Sequence, residues 1–152
     1  MPVTKESFTT AEQVANHIVK HLLTQNERSQ NEFGACIYQY EDVDGSVYSC
    51  AVGCLIDRYY YDESLEDRGV EDHEVLQAIQ MSHPDLEITS DLVKYMHTMQ
   101  SIHDNLELED WNVLFTDQKT GDMVIPEVSD HEKLKRAYVE LCYMQMDPAM
   151  DL

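Results

Sequence analysis

Cys50 and His103 are the one pair in this sequence whose types could carry covalent chemistry. They would act as thiolate nucleophile and imidazole base, with Asp104 beside His103 to orient the ring. Cys50 falls where an expected strand meets an apolar segment, and a helix beginning there would lower the thiol's pKa. Against this, His103 and Asp104 are neighbours on one expected helix, where adjacent side chains point about 100° apart and do not face each other. A second chemistry would use Cys36, Cys50, Cys54 and His103 as zinc ligands. Structural zinc sites space their ligands in close pairs, and only Cys50 to Cys54 approaches that pattern. His17 and His21 share a helical spacing but lack the acidic base that a zinc protease places between its histidines. They read as two histidines at the edge of a helix face. The run Asp42-Val43-Asp44-Gly45 resembles a calcium loop, yet Tyr40 and Ala51 occupy the first and last ligand positions, which excludes an EF-hand. Gly34, Gly45, Gly53, Gly69 and Gly121 stand singly, so no loop is built to cradle phosphates. No residue is therefore assigned to catalysis or metal binding, and no cofactor is expected. A Cys/His site, either structural zinc or a cysteine hydrolase using Cys50 and His103, is the second reading.

Charge is the stronger signal. The net charge is −20, and residues 35–130 hold 22 acids against four bases while both ends are near balance. Such a field disfavours direct contact with nucleic acid or anionic lipid and favours a basic partner. Six tyrosines, Tyr38, Tyr40, Tyr48, Tyr59, Tyr60 and Tyr61, fall within 24 residues of one another. That exceeds what a small hairpin can bury, and tyrosine is enriched at interfaces. The candidate binding residues are Tyr38, Tyr40, Asp42, Asp44, Tyr59, Tyr60, Tyr61, Asp62, Glu63, Glu66 and Asp67.

The elements that must position these residues follow from pattern. A single domain over residues 1–152 is expected, with 43% hydrophobic residues and enough chain to bury one core without staples. Phe8 precedes a helix capped by Thr9, with Glu12 closing a capping box and Ala11, Val14, Ala15, Ile18 and Leu22 forming its apolar stripe to about Leu23. Gln25 to Gly34 is a polar loop containing Arg28-Ser29. Cys36 to Tyr40 and Val47 to Cys50 form a hairpin around Asp44-Gly45 and feed a small, apolar run, Ala51 to Ile56, that should be buried. A turn centred on Val43 pairs Cys36 with Cys50 and Tyr38 with Tyr48. A two-residue Asp44-Gly45 turn separates the cysteines, and pairing like with like favours the first. A short helix spans about Asp72 to Met81 and breaks at Ser82-His83-Pro84. The next starts at Thr89-Ser90-Asp91 with Leu92, Met96, Met99, His103 and Leu106 on its inner face and His97 outward. An inward histidine of this kind is usually satisfied by a backbone carbonyl. Trp111 to Thr116 and Met123 to Ile125 suit a second hairpin, with a short helix at its start as the other option. Ser129 and Glu132 cap a last helix whose inner face carries Leu134, Tyr138 and Leu141, and the tail after Met146 should fray. The sum is an α+β fold: a small antiparallel sheet built on the central hairpin and packed by several helices.

Arg28-Ser29, Cys36 with Tyr38, the string Cys50-Ala51-Val52-Gly53-Cys54-Leu55-Ile56, a following tyrosine, and Ile102-His103-Asp104 together resemble a family of small uncharacterised proteins of tailed phages and bacteria. The resemblance covers roughly residues 14–111 and departs from the family at Asp57-Arg58, where Pro-Asp is usual, and in the last third. It implies an intracellular phage or bacterial protein and no chemistry. With no apolar stretch of membrane-spanning length and no signal-peptide pattern at the start, a cytoplasmic protein with reduced thiols is expected. The functional expectation is a non-enzymatic acidic protein, monomer or homodimer, that docks on a positively charged host protein, a nucleic-acid-binding one included, as an inhibitor or nucleic-acid mimic.

Overall fold

A computed structural model describes residues 7–27, 29, 30, 37–41, 43–66 and 68–146, with the side chains of residues 145 and 146 left aside. Arg28, Cys36, Asp42, Asp67 and the tail after Met146 lie outside the described residues, and with them the expected Cys36 pairing.

Helix α1 spans Ala11–Gln25 and buries Val14, Ala15, Ile18, Val19 and Leu22. Its cap lies one residue later than expected. Thr10 Oγ1 accepts the Gln13 N–H, while Gln13 Oε1 accepts the N–H groups of Thr9 (2.8 Å) and Thr10 (3.2 Å). A carboxamide that gathers two orphan backbone donors fixes the helix start better than Glu12 could from one position earlier. The helix stops at Asn26, which takes the left-handed conformation that asparagine tolerates.

Strands β1 (Gln39–Glu41) and β2 (Val47–Ser49) form a two-stranded antiparallel ribbon. Tyr40 lies opposite Tyr48, a register that neither expected turn produces. The reason is local. Asp44 Oδ1 accepts the Ser46 N–H at 2.9 Å and Gly45 takes φ +88°, so the turn is centred on Asp44 and Tyr38 moves opposite Cys50. The ribbon sits at the edge of the molecule. What is buried is the run that follows it, Cys50 to Ile56, in which only Cys54 is partly exposed.

Helix α2 (His73–Ser82) is capped by Asp72 and α3 (Ser90–Asn105) by Thr89. The core is organised on α3, not on the hairpin: α1 packs on one side of it and α5 (His131–Met146) on another. Leu92, Tyr95, Met96, Met99, Ile102 and His103 of α3 are all buried. Leu108–Phe115 is helix α4, so the expected second hairpin shrinks to a single bridge between Thr116 and Met123. A strand would bury Val113 together with Trp111 and Phe115, since alternate residues share a face. The helix buries Trp111 and Phe115 and leaves Val113 outside, and it gives the Trp111 indole N–H a partner in the Ile102 carbonyl at 3.2 Å. A tight turn at Val128–Asp130 precedes α5, which places Ser129 inside the turn instead of at the cap. The outcome is an α+β fold, mostly helical, with one small hairpin. Among the described residues no helix is long and apolar enough to cross a membrane.

Candidate functional site

The residues first singled out for chemistry do meet, but as a bonded network. Asp104 Oδ1 accepts from His103 Nδ1 at 2.7 Å and from Gln100 Nε2 at 2.9 Å. Gln100 Oε1 in turn accepts the Val52 N–H at 3.1 Å. The expectation that His103 and Asp104 cannot face each other is therefore wrong. Nδ1 is the ring nitrogen nearest the backbone, and a short carboxylate one residue on can reach it across the helix surface. On the other side of the ring, Nε2 accepts the Ser29 N–H at 2.9 Å, and Ser29 returns its carbonyl to the Ile37 N–H. Those partners define a neutral ring protonated on Nδ1. It is packed against Trp111, ring centres 5.5 Å apart. The inward histidine is thus satisfied by a carboxylate and a backbone N–H, not by the carbonyl that was expected.

With both nitrogens engaged, His103 has no lone pair for a thiol proton or a metal ion. Burial pushes the Cys50 thiol up to about 12, although the Gly53 N–H reaches its Sγ at 3.2 Å. Burial raises Cys54 as well, and its thiol donates to the Ala51 carbonyl. Cys50, Cys54 and Cys142 are free thiols. Among the described cysteines, native protein treated with a thiol reagent should accordingly react first at Cys142, with Cys54 slower and Cys50 modified only as fast as the protein opens. Rapid labelling of Cys50 would contradict the burial described here.

The other histidines do similar work. His21 Nε2 lies 2.7 Å from the Ser49 carbonyl and His17 Nε2 3.3 Å from that of Cys54, tying α1 to the segment after the hairpin. His83, which the sequence marked only as part of a break, accepts the Phe8 N–H on Nδ1 and donates from Nε2 to the Leu55 carbonyl at 2.7 Å. No spacing rule signals it, because its partners are far away in sequence.

Burial is the largest influence on His21 and His83 and holds both below the ordinary value of 6.5. The unfolded chain thus takes up protons that the folded one refuses. Their stabilising effect is complete above pH 6.5 and is lost as pH falls below it. Urea midpoints should drop between about pH 7 and 5.5, before the carboxylates titrate. His83→Gln should be less stable at neutral pH but lose less on acidification. An equal pH slope for both proteins would argue against this role.

The candidate binding residues divide. Strand β1 and residues 57–66 lie side by side, joined by Arg58 to Glu41 at 3.2 Å and by the Tyr61 hydroxyl to the Gln39 carbonyl at 3.5 Å. Glu66 takes the N–H of Tyr38 at 2.8 Å and the Tyr61 hydroxyl, so it is a brace between the two segments. Tyr38 is buried with its hydroxyl on the Arg68 carbonyl, so its ring is not among the exposed residues. Tyr40, Tyr60 and Tyr61 are half-buried. Tyr59 is 85% exposed and meets Tyr60 edge to face, ring centres 5.1 Å apart. Asp44, Asp62 and Glu63 are exposed, Asp44 in the hairpin turn and Asp62 accepting the Ser64 N–H. Asp42 and Asp67 lie outside the described residues.

Sequence reasoning missed Glu41 and its partner Arg58. Arg58 is the only base between residues 57 and 66, which was the available signal. Glu41, Tyr59, Asp62 and Glu63 are exposed on these two segments, with Arg58 as the one offsetting charge among their described residues. Comparison with protein-family models, with curated proteins and with solved structures finds no match to this chain.

Proposed function

We propose that this chain is a non-enzymatic binding protein of phage type, working in the host cytoplasm, whose acidic face docks on a positively charged protein. The observation that carries this reading is the locking of β1 against residues 57–66, a segment that exposes Tyr59, Asp62 and Glu63. Carboxylates on a fixed frame attract a basic partner and speed its encounter, and a rigid aromatic ring supplies apolar area at small entropic cost. A partner that binds nucleic acid fits best, since it already offers a surface shaped for anions, and the chain would then inhibit it by occupying that surface. The occupied nitrogens of His103 and the protonated, buried Cys50 leave catalysis without support.

Reversing two charges on the face, Asp62→Lys with Glu63→Lys, should slow association with the captured partner by roughly tenfold or more at low salt and flatten its salt dependence. The fold should survive, because both side chains are exposed. Glu12→Lys with Glu140→Lys, exposed helix positions in the near-neutral ends, should change little. Capture of the same host proteins at the same rate by both double variants would remove the basis of the reading.

A further inference from the structure

Between Ile37-Tyr38, which lead into β1, residues 66 and 68–70, and α3 lies a cavity of about 220 Å³ whose lining includes Tyr38, Glu66, Arg68, His97, Gln100 and Asp104, with Ile37, Gly69 and Val70 beside them. We propose that this cavity receives one arginine side chain of the docking partner, its guanidinium lying against Asp104. The proposal rests on the docking reading and names the anchor within it.

Asp104 is the wall that matters. Its Oδ1 is spent on His103 and Gln100, but Oδ2 has no partner among the described residues, and the side chain is 33% exposed. A carboxylate partly withdrawn from water and held rigid by two donors is a prepared acceptor for a charge-assisted hydrogen bond. Ile37 and Val70 offer apolar walls for a methylene stem.

The other charges around the cavity do not reverse its sign. Arg68 is neutralised by Asp72 (3.2 Å) and Glu74 (3.5 Å), and His97 is turned to Glu71 at 3.3 Å. Glu66 adds a second carboxylate from the opposite segment. Burial first, and the carboxylates of Glu66, Asp104 and Asp72 with it, hold the Tyr38 hydroxyl above its ordinary value. Guanidinium is favoured over ammonium because it is more weakly hydrated, so partial burial costs less, and its fork can reach Asp104 and a second acceptor together.

The probe is Nα-acetyl-arginine amide, titrated into the full chain and followed by amide NMR shifts, with the neutral citrulline and the lysine counterparts alongside. Saturable shifts centred on Tyr38, Gln100 and Asp104 are expected, about tenfold weaker or more for citrulline. Asp104→Asn should produce the same loss while the fold holds, since the new carboxamide oxygen can still accept from His103 and Gln100. Gly69→Leu should abolish binding by filling the mouth. That site has room, because a Cβ there meets only Glu71 Oε2 at 3.7 Å.

Arginine shifts that never saturate, or that persist unchanged in both variants, overturn the cavity. If Asp62 and Glu63 reversal abolishes partner binding while Asp104→Asn changes neither partner nor probe, the docking face stands and the cavity falls. Probe binding that depends on Asp104, with partner capture indifferent to the reversals, keeps the cavity and discards the face.

Discussion

Gly53→Ala should abolish the native fold or leave it only marginally populated. A Cβ at residue 53 would lie 1.9 Å from the Tyr38 carbonyl oxygen and 2.7 Å from its carbon. Both are backbone atoms, so no side chain can swing aside. The carbonyl itself cannot retreat freely, because it accepts the Cys50 N–H at 3.2 Å and so fixes the end of the ribbon. Gly53 is held from its own side as well: its carbonyl accepts from Gln39 Nε2 and from the Ile56 N–H. Separating the two backbones by more than an ångström would break these bonds and open the largely buried run Cys50 to Ile56. Ordinary overpacking costs about 1–3 kcal/mol, and a backbone clash with lost hydrogen bonds should exceed about 4 kcal/mol, a large part of a typical domain's stability. Gly69→Ala is the matched control, expected within about 0.5 kcal/mol of the parent at an exposed loop position. Urea titration of both, with amide NMR spectra, checks this. A Gly53→Ala protein with near-parental stability would show that the ribbon does not sit on residue 53 as described.

Helices α1 and α3 were legible because their apolar residues recur at helical spacing over about two turns or more, as Val14, Ile18 and Leu22 do in α1 and Leu92, Met96 and Met99 do in α3. The helix starts near Asp72 and Thr89 were legible too, although the caps named from the capping-box pattern, Thr9 and Ser129, were both displaced. Burial of Cys50 to Ile56 could be read from composition alone. The hairpin's existence was clear from Asp44-Gly45, but its register depended on one side chain, Asp44, bonding Ser46 and recentring the turn. Residues 111–116 were ambiguous because Trp111 and Phe115 share a face in a strand as well as in a helix. Only the tertiary partner of the Trp111 indole, the Ile102 carbonyl, decides between them.

The acidic face was half legible. Charge density pointed to Asp62 and Glu63, yet nothing local distinguishes them from Glu66, which folding turns inward as a brace. Placing the hairpin at the centre merged its strands with the buried run that follows them, Ala51 to Ile56. Tyrosines can line an edge with their hydroxyls bonded, as Tyr61 does, whereas α3 occupies the middle with residues that are individually unremarkable.

Ser29 and Asp104 meet on the His103 imidazole, and the run Cys50 to Ile56 joins them through the Val52 N–H and Gln100, so His103→Leu should cost stability where a catalytic role would cost activity. Leucine fills much of the ring's volume but offers no acceptor to the Ser29 N–H and no donor to Asp104. A buried donor left unpaired costs about 1–3 kcal/mol, and Asp104 also loses a partner while retaining its charge. The expected total is about 3 kcal/mol or more, read as a fall in urea midpoint with an unchanged slope. His103→Gln should recover part of this, since its carboxamide oxygen can reach the Ser29 N–H, though without the ring against Trp111. Hydrogen exchange separates this account from plain loss of packing. The Ser29 amide should exchange near the global opening rate in the parent and in His103→Gln, but much faster in His103→Leu. If the leucine variant keeps parental stability and slow Ser29 exchange, the network does not hold Ser29 to α3, and the meeting of these residues would need another cause.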